Sequence, residues 1–251
     1  MTYIAIVLAG SRPGRDAFAE AYGTDLKALI PVGGEPMVRR SVRALLASES
    51  VGKVIVLSQA PERIAAVLPE GAEVGESRET IAATILALCE DADTQWPLLV
   101  TTADHALLDA ATVDEFCRAA GADIAIGVVE QAGLMRRLPG TRRTWVKFRG
   151  GAYTGANLFA LRSPAVAPAI HLWRSVEQDR KKGWRLLLMF GPAALLGAGL
   201  RLLSLDSVLA RAGRKLGLTI KAVRLSNPLA GVDVDKSADH VLAEAILEGR
   251  A

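Results

Sequence analysis

The sequence predicts an α/β protein: one three-layer α/β/α domain over residues 1–251, with a mostly parallel sheet, a mixed edge and a helical insert at about residues 163–217. Short apolar, β-branched runs recur along the chain, at residues 3–9, 54–58, 97–102 and 123–129. Such runs read as strands buried on both faces, the mark of a parallel sheet. Stretches of helical period separate them, and that alternation builds βαβ units. Hydrophobic residues make up 51% of a 251-residue chain, enough for a sizeable core.

The first strand, residues 3–9, runs into Gly10-Ser11-Arg12-Pro13-Gly14-Arg15. Two glycines and a proline leave a loop there. Open α/β sheets bind ligands at the carboxyl ends of their strands. Small residues let backbone N–H groups approach phosphate oxygens, and Arg12 and Arg15 add charge. Lys27 follows, then a Pro/Gly corner at 31–36 and an amphipathic helix at 37–47. Two familiar phosphate loops do not fit, because neither G-x-x-x-x-G-K-[ST] nor G-x-G-x-x-G is present.

Residues 54–58 form the second strand, 61–68 a short helix and 72–74 a third strand. Residues 75–80 open a helix that reaches Cys89, with Ser77 or Arg78 near its start. A helix start offers N–H groups to an anion or a base edge, and a plain cap is the other reading. The strand at 97–102 delivers Asp104. A carboxylate at the end of a buried strand needs a partner, and a magnesium ion suits that position, with helix capping the alternative. A helix at 109–120 and a strand at 123–129 continue the pattern. Strands at 144–148 and 157–161 are expected at the mixed edge, with a turn through Thr154, Gly155 and Asn157 between them. A late strand at 219–225 leads through Asp233-Val234-Asp235 to a final helix at 237–247. Those two aspartates could cap the helix.

The net charge of +3 makes no demand for a nucleic-acid partner. Cys89 and Cys117 read as buried small hydrophobes in a reducing compartment, and no Cys/His cluster has zinc spacing. The apolar start lacks a basic stretch and a cleavage site, so a cytoplasmic location is expected.

The pattern LAGSRPGR, a later Lys27, then LIPVGGEPM resembles the nucleotidyltransferase superfamily of sugar-nucleotide pyrophosphorylases, and within it the MobA-like NTP transferases. Their signature is LAGG-x-G-x-R, a gap, then K-x-L-x-P-V-x-G-x-P. Gly10, Gly14, Arg15, Lys27, Pro31, Gly33 and Pro36 match it, while Ser11 and Pro13 depart. Residues 231–239 are similar to the family's D-[IV]-D-T-P-E-D-L, with Lys236-Ser237-Ala238 in place of T-P-E. Ala106 stands where the family has proline after its metal-binding aspartate.

The resemblance implies a Rossmann-like, GT-A-type sheet and an NMP transfer from an NTP to a phosphorylated acceptor, with release of pyrophosphate. It implies an NTP site at Leu8, Ala9, Gly10, Ser11, Arg12, Gly14 and Ser77, with CTP and GTP both open. Arg15, Lys27 and Asp104 would be catalytic, and Thr154, Gly155 and Asn157 would meet the acceptor or ribose. Magnesium or manganese would be held by Asp104 and Asp235, with Asp233 beside them. An unpaired carboxylate pair repels itself, so Asp104→Asn is expected not to lower stability. A catalytically silent nucleotide sensor and a nucleotide-sugar glycosyltransferase are the rival readings.

Residues 186–200 carry no charge and follow a basic run at 180–185. The stretch is shorter than the ~20 residues a spanning helix needs, and Gly191-Pro192 breaks it. It is read as a helical insert that packs on the domain or in a homodimer, or as a peripheral membrane contact helped by Arg211, Arg214 and Lys215. The second version suits a lipid-precursor acceptor at the inner face of the membrane.

Overall fold

The structure, a computed structural model, describes residues 2–10, 14–177 and 203–251. The expected features at Ser11, Arg12 and Pro13, the basic run at 180–185 and the uncharged run at 186–200 lie outside the described residues.

An eight-stranded sheet forms the centre. In chain order its strands are β1 (Tyr3–Leu8), β4 (Val51–Ser58), β5 (Ala72–Glu76), β6 (Leu98–Thr102), β7 (Ile124–Glu130), β8 (Val146–Phe148), β9 (Gly151–Leu161) and β10 (Ile220–Arg224). A small separate hairpin pairs β2 (Pro31–Val32) with β3 (Glu35–Pro36). The spatial order is β10-β7-β9-β6-β1-β4-β5, with β8 paired to β9. The β1–β4, β1–β6, β4–β5 and β7–β10 pairs are parallel, and every pairing made by β9 is antiparallel. The mixed edge expected from the sequence is therefore one reversed strand placed inside the sheet.

Alternation along β1 divides the core. Ala5 and Val7 face one side, with Val42 and Leu45 of α2 (Met37–Leu46) and Phe116 of α5 (Ala110–Ala119). Ile6 and Leu8 face the other, with Ile85 of α4 (Ile81–Glu90) and Ile170 of α7 (Ala167–Glu177). Successive strand side chains point to opposite faces, so two helical layers are covered by one strand pattern.

Several boundaries differ from the sequence reading. Asp16 caps an unexpected helix, α1 (Ala17–Ala21), accepting from Phe18 N at 3.0 Å and Ala19 N at 3.2 Å. A short α3 (Pro61–Ala65) and a further unexpected helix, α6 (Gln131–Arg137), flank the strands. Ser77 and Arg78 do not start α4: Thr80 does, its hydroxyl accepting from Ala83 N at 3.1 Å. Gly75 and Glu76 instead extend β5. Thr154, Gly155 and Asn157 lie within β9 rather than in a turn, because pairing with β7 overrides the glycine's loop preference.

Within the expected insert, α8 (Leu205–Leu216) packs Leu205 against Val128, Tyr153 and Ala222. Ser204 caps its start and Gly217, at φ 68°, ends it. Gly213 permits the close approach of the chain that leaves this helix: a Cβ there would lie 2.3 Å from the Leu218 carbonyl oxygen. Backbone cannot step aside as a side chain can, so Gly213→Ala should destabilise by about 1–3 kcal/mol. An unchanged denaturation midpoint would contradict this packing. Among the described residues no helix is long and apolar enough to cross a membrane. The final helix is α9 (Ser237–Leu247).

Candidate functional site

The chain runs outward from β1 to β4 and β5, then returns to β6 on the other side of β1. That reversal opens a crevice at the carboxyl ends of β1 and β6, the place where open α/β sheets bind ligands.

On one side of the crevice lies the end of β1. Leu8 and Ala9 are buried, and their backbones are tied to neighbouring strands: Ala103 N donates to Leu8 O at 3.0 Å and Ala9 N to Leu57 O at 2.9 Å. Gly10 lies against Gln59, whose amide atoms would be 2.8 Å from a Cβ there. Gly14, at φ 112°, holds a backbone conformation that side chains rarely adopt. Arg15 is exposed and does not reach the crevice in this state. Its fork meets Glu20, Nε to Oε1 at 2.7 Å and Nη2 to Oε2 at 2.9 Å, a pairing that raises its pKa. Ser77 N donates to Ser58 O at 3.0 Å, beside β1's end, and Ser77 Oγ is buried with no partner among the described residues.

On the other side lies the turn after β6. Ser41 of α2 donates to the Ala103 and His105 carbonyls at 3.3 and 3.2 Å, and Arg40 Nε to Ala106 O at 2.9 Å. These bonds fix Asp104 in place. Thr102 Oγ1 donates to Asp104 Oδ1 at 2.5 Å, and Lys27 Nζ to Asp104 Oδ2 at 2.6 Å. The same ammonium donates to Asp235 Oδ1. Two hydrogen bonds to one nitrogen bring those carboxylate oxygens within about 6 Å of each other. Burial alone would lower the Lys27 pKa, but the charges and hydrogen bonds of Asp104 and Asp235 outweigh it and raise the pKa. His105 is fully buried, which pulls its pKa down to about 4 against the opposing pull of Asp104, so its ring is neutral at neutral pH.

Val234 N donates to Asp104 O at 3.0 Å, which docks the 233–235 segment on the turn. Asp233 is not on the lysine. Arg143, a residue sequence reasoning missed, takes it: Nη1 donates to Asp233 Oδ1 and Nη2 to Asp233 O at 3.0 Å, with Nη2 also 3.4 Å from Asp239 Oδ1. The Arg143 side chain is only 8% exposed, and its Nε has no partner among the described residues. Burial, and then the Asp235 charge, push Asp233 up to about 6, with Arg143 opposing. Asp239 Oδ2 accepts from Asp235 N at 3.3 Å. Asn157 completes the cluster, its Nδ2 lying 3.5 Å from Asp233 Oδ2. It is the one non-glycine residue with positive φ among the described residues, at 47°, where the β7–β9 register slips. A bulge of this kind re-aims a side chain, and it turns Asn157 towards the aspartates. Thr154 and Gly155 lie earlier on β9, and Gly231 fits tightly under Thr154, where a Cβ would lie 2.9 Å from Thr154 Cγ2.

A second contact set ties residues 22–33 to residues 240–244. His240 Nε2 donates to Pro31 O at 2.7 Å, and its Nδ1 lies 3.0 Å from the Tyr22 hydroxyl. Gly33 N donates to Glu244 Oε1 at 2.8 Å. Helix α9 thus holds both α1 and the corner that follows Lys27.

The donor set suits a divalent cation. Asp104 and Asp235 offer hard oxygens converging on one cationic centre, and magnesium completes its shell with water and phosphate. Among the described residues no group of three or more His, Cys, Asp or Glu side chains converges on one point.

A transferase from Thermus thermophilus described as hypothetical is 32% identical to the chain, covers 96% of it and all of its own length, and superposes with a TM-score of 0.82. The 4-diphosphocytidyl-2C-methyl-D-erythritol synthase of Anaerococcus prevotii shares the fold at 11% identity, with 98% and 96% of the two chains covered and a TM-score of 0.59. A CMP:2-keto-3-deoxy-manno-octonic acid synthetase complexed with CTP also shares it, at 14% identity, with full coverage of both chains and a TM-score of 0.60. No curated protein matches the chain. The profile of the MobA-like NTP transferase domain matches residues 5–204, a span that holds Lys27 and Asp104 and stops short of Asp235. The chain belongs to the MobA-like NTP transferase family.

Proposed function

We propose that the protein transfers a nucleoside monophosphate from an NTP to a phosphorylated acceptor and releases pyrophosphate. The observation that carries this reading is the meeting of Lys27, Asp104 and Asp235 at the switch-point crevice of a chain from an NTP transferase family. A phosphate oxygen on the acceptor is already ionised, so no side-chain nucleophile is required. Catalysis reduces to positioning and charge neutralisation. The loop at 10–15 would cradle the triphosphate, and Ser77 Oγ would offer a hydrogen bond to the nucleoside. Arg15 would leave Glu20 and turn to the leaving pyrophosphate. Lys27 would contact the α-phosphate or the acceptor phosphate. Asn157 and Thr154 would approach the acceptor or ribose. Asp104 and Asp235 would hold Mg²⁺ or Mn²⁺, which when bound would neutralise charge on the phosphates.

CTP is the first nucleotide to try. One fold relative is described in complex with CTP, and another is named for a diphosphocytidyl compound. The test is pyrophosphate release from each of four NTPs with a panel of phosphorylated acceptors, sugar phosphates and lipid-precursor phosphates alike. One NTP should release pyrophosphate only when its acceptor is present. Nucleotide binding without release under any combination would make the protein a sensor rather than a transferase.

A further inference from the structure

The ammonium of Lys27 is shared between Oδ2 of Asp104 and Oδ1 of Asp235. A divalent cation bonded at ~2.1 Å to those two oxygens would lie within about 4 Å of Nζ. At that separation two positive centres repel strongly in a partly buried site. The Lys27 and Asp104 side chains are each 19% exposed, so solvent screening between them is limited, while Asp235 is 60% exposed. Asp104 Oδ2 and Asp235 Oδ1 therefore favour one cation at a time, the lysine or the divalent ion.

We propose that Lys27 is an exchangeable internal counter-cation: it holds Asp104 and Asp235 together in the metal-free protein and is released towards the substrate phosphates when a divalent cation takes its place. The inference rests on the transferase reading above and adds to it a coupling between metal arrival and lysine release. Charge count supports the exchange. The triad carries −1 with the ammonium in place. With a divalent cation instead, the carboxylates are neutralised and one positive charge is set free beside the crevice. The long aliphatic stem of lysine lets the ammonium swing without moving the backbone. Asp104 stays put, because Thr102 and the Ser41-braced turn hold it independently of the lysine. The metal site and the phosphate-binding cation would then be made ready in one event.

Binding of Mn²⁺ alone, read from the free-ion electron paramagnetic resonance signal, tests the exchange without turnover. Lys27→Met should bind Mn²⁺ at least tenfold more tightly than the natural protein, and Lys27→Met with Asp104→Asn should lose the gain. Equal affinity of Lys27→Met and the natural protein would overturn the proposal, as would absence of binding by both. A second measurement needs no variant. Acetylation of Lys27 in the natural protein, followed by peptide mass spectrometry, should speed up when Mg²⁺ is added at constant ionic strength. An unchanged or slower rate would overturn the exchange. Neither readout depends on the acceptor, so a failed pyrophosphate screen and a failed exchange are separate results.

Discussion

Asp104→Asn should lower the rate of NTP-dependent pyrophosphate release by ~10²–10³, the scale seen when one key electrostatic group is removed from an active site. The amide keeps the shape of the carboxylate and can still meet Thr102. What it loses is the charge that pairs with Lys27. Substrate binding should change less than turnover, because the loop at the end of β1 is untouched. A rate within threefold of the natural protein at saturating substrate would remove Asp104 from the chemistry. The structure also corrects the expected effect on stability. From the sequence, Asp104 and Asp235 were a repelling pair whose relief would cost nothing. Here the Lys27 ammonium already lies between them, so the variant forfeits a charge-assisted hydrogen bond and should lose roughly 1–3 kcal/mol.

Arg143→Met should lower folding stability strongly. The arginine is almost fully buried, and it neutralises Asp233 while touching Asp239, itself buried. Removing the buried arginine leaves the Asp233 carboxylate, 29% exposed, without its partner, and the loss is about 3 kcal/mol, the low end for a buried pair. The folded Asp233 carboxyl already titrates near 6, above its ordinary value, chiefly through burial. Without Arg143 its charged form is disfavoured further. A group whose folded pKa is raised in this way penalises the fold above that pKa, and the penalty fades as pH falls through it. The destabilisation of Arg143→Met should therefore be larger at pH 8 than at pH 5, and Arg143→Met with Asp233→Asn should recover much of it. Urea denaturation at the two pH values measures both effects. A loss that is small and independent of pH would show the pair to be dispensable.

Much of the scaffold could be read from residue order. Strands β1 and β6 are apolar runs without competing signals, β4 was read only from residue 54 because Gly52 and Lys53 mask its start, and Asp104 stands out because a charge closely follows β6. Lys27 and Asp235 were legible through motif spacing, though only the fold could show them sharing one contact. Arg143 was not legible, because Arg142-Arg143 looks like an exposed basic run and burial depends on where the loop before β8 lands. Asn157 was legible as a candidate but its setting was not: Gly155 suggests a turn, while pairing with β7 makes a strand with a bulge. Helix α1 did leave a signal. Asp16 precedes Ala17 as a cap, and Glu20 falls in the first turn.

The latch between His240 and the segment around Tyr22 and Pro31 joins positions 218 and 209 residues apart, and Lys27 meets Asp235 across 208. A ribosome delivers β1, Lys27 and the Pro31 corner long before it delivers Asp235 and His240. Strands β1, β4, β5 and β6 can pair during synthesis, since their partners arrive in close succession. The crevice cannot close then, because half of its contacts are still untranslated. Contacts of such sequence separation also form slowly in a refolding chain, as the entropy of closing the loop must be met before they repay it. The protein is thus built so that its sheet precedes its site: a nascent chain arrested before residue 233 would carry an ordered scaffold and no assembled site, and the site would close only once Asp235 and His240 have left the exit tunnel.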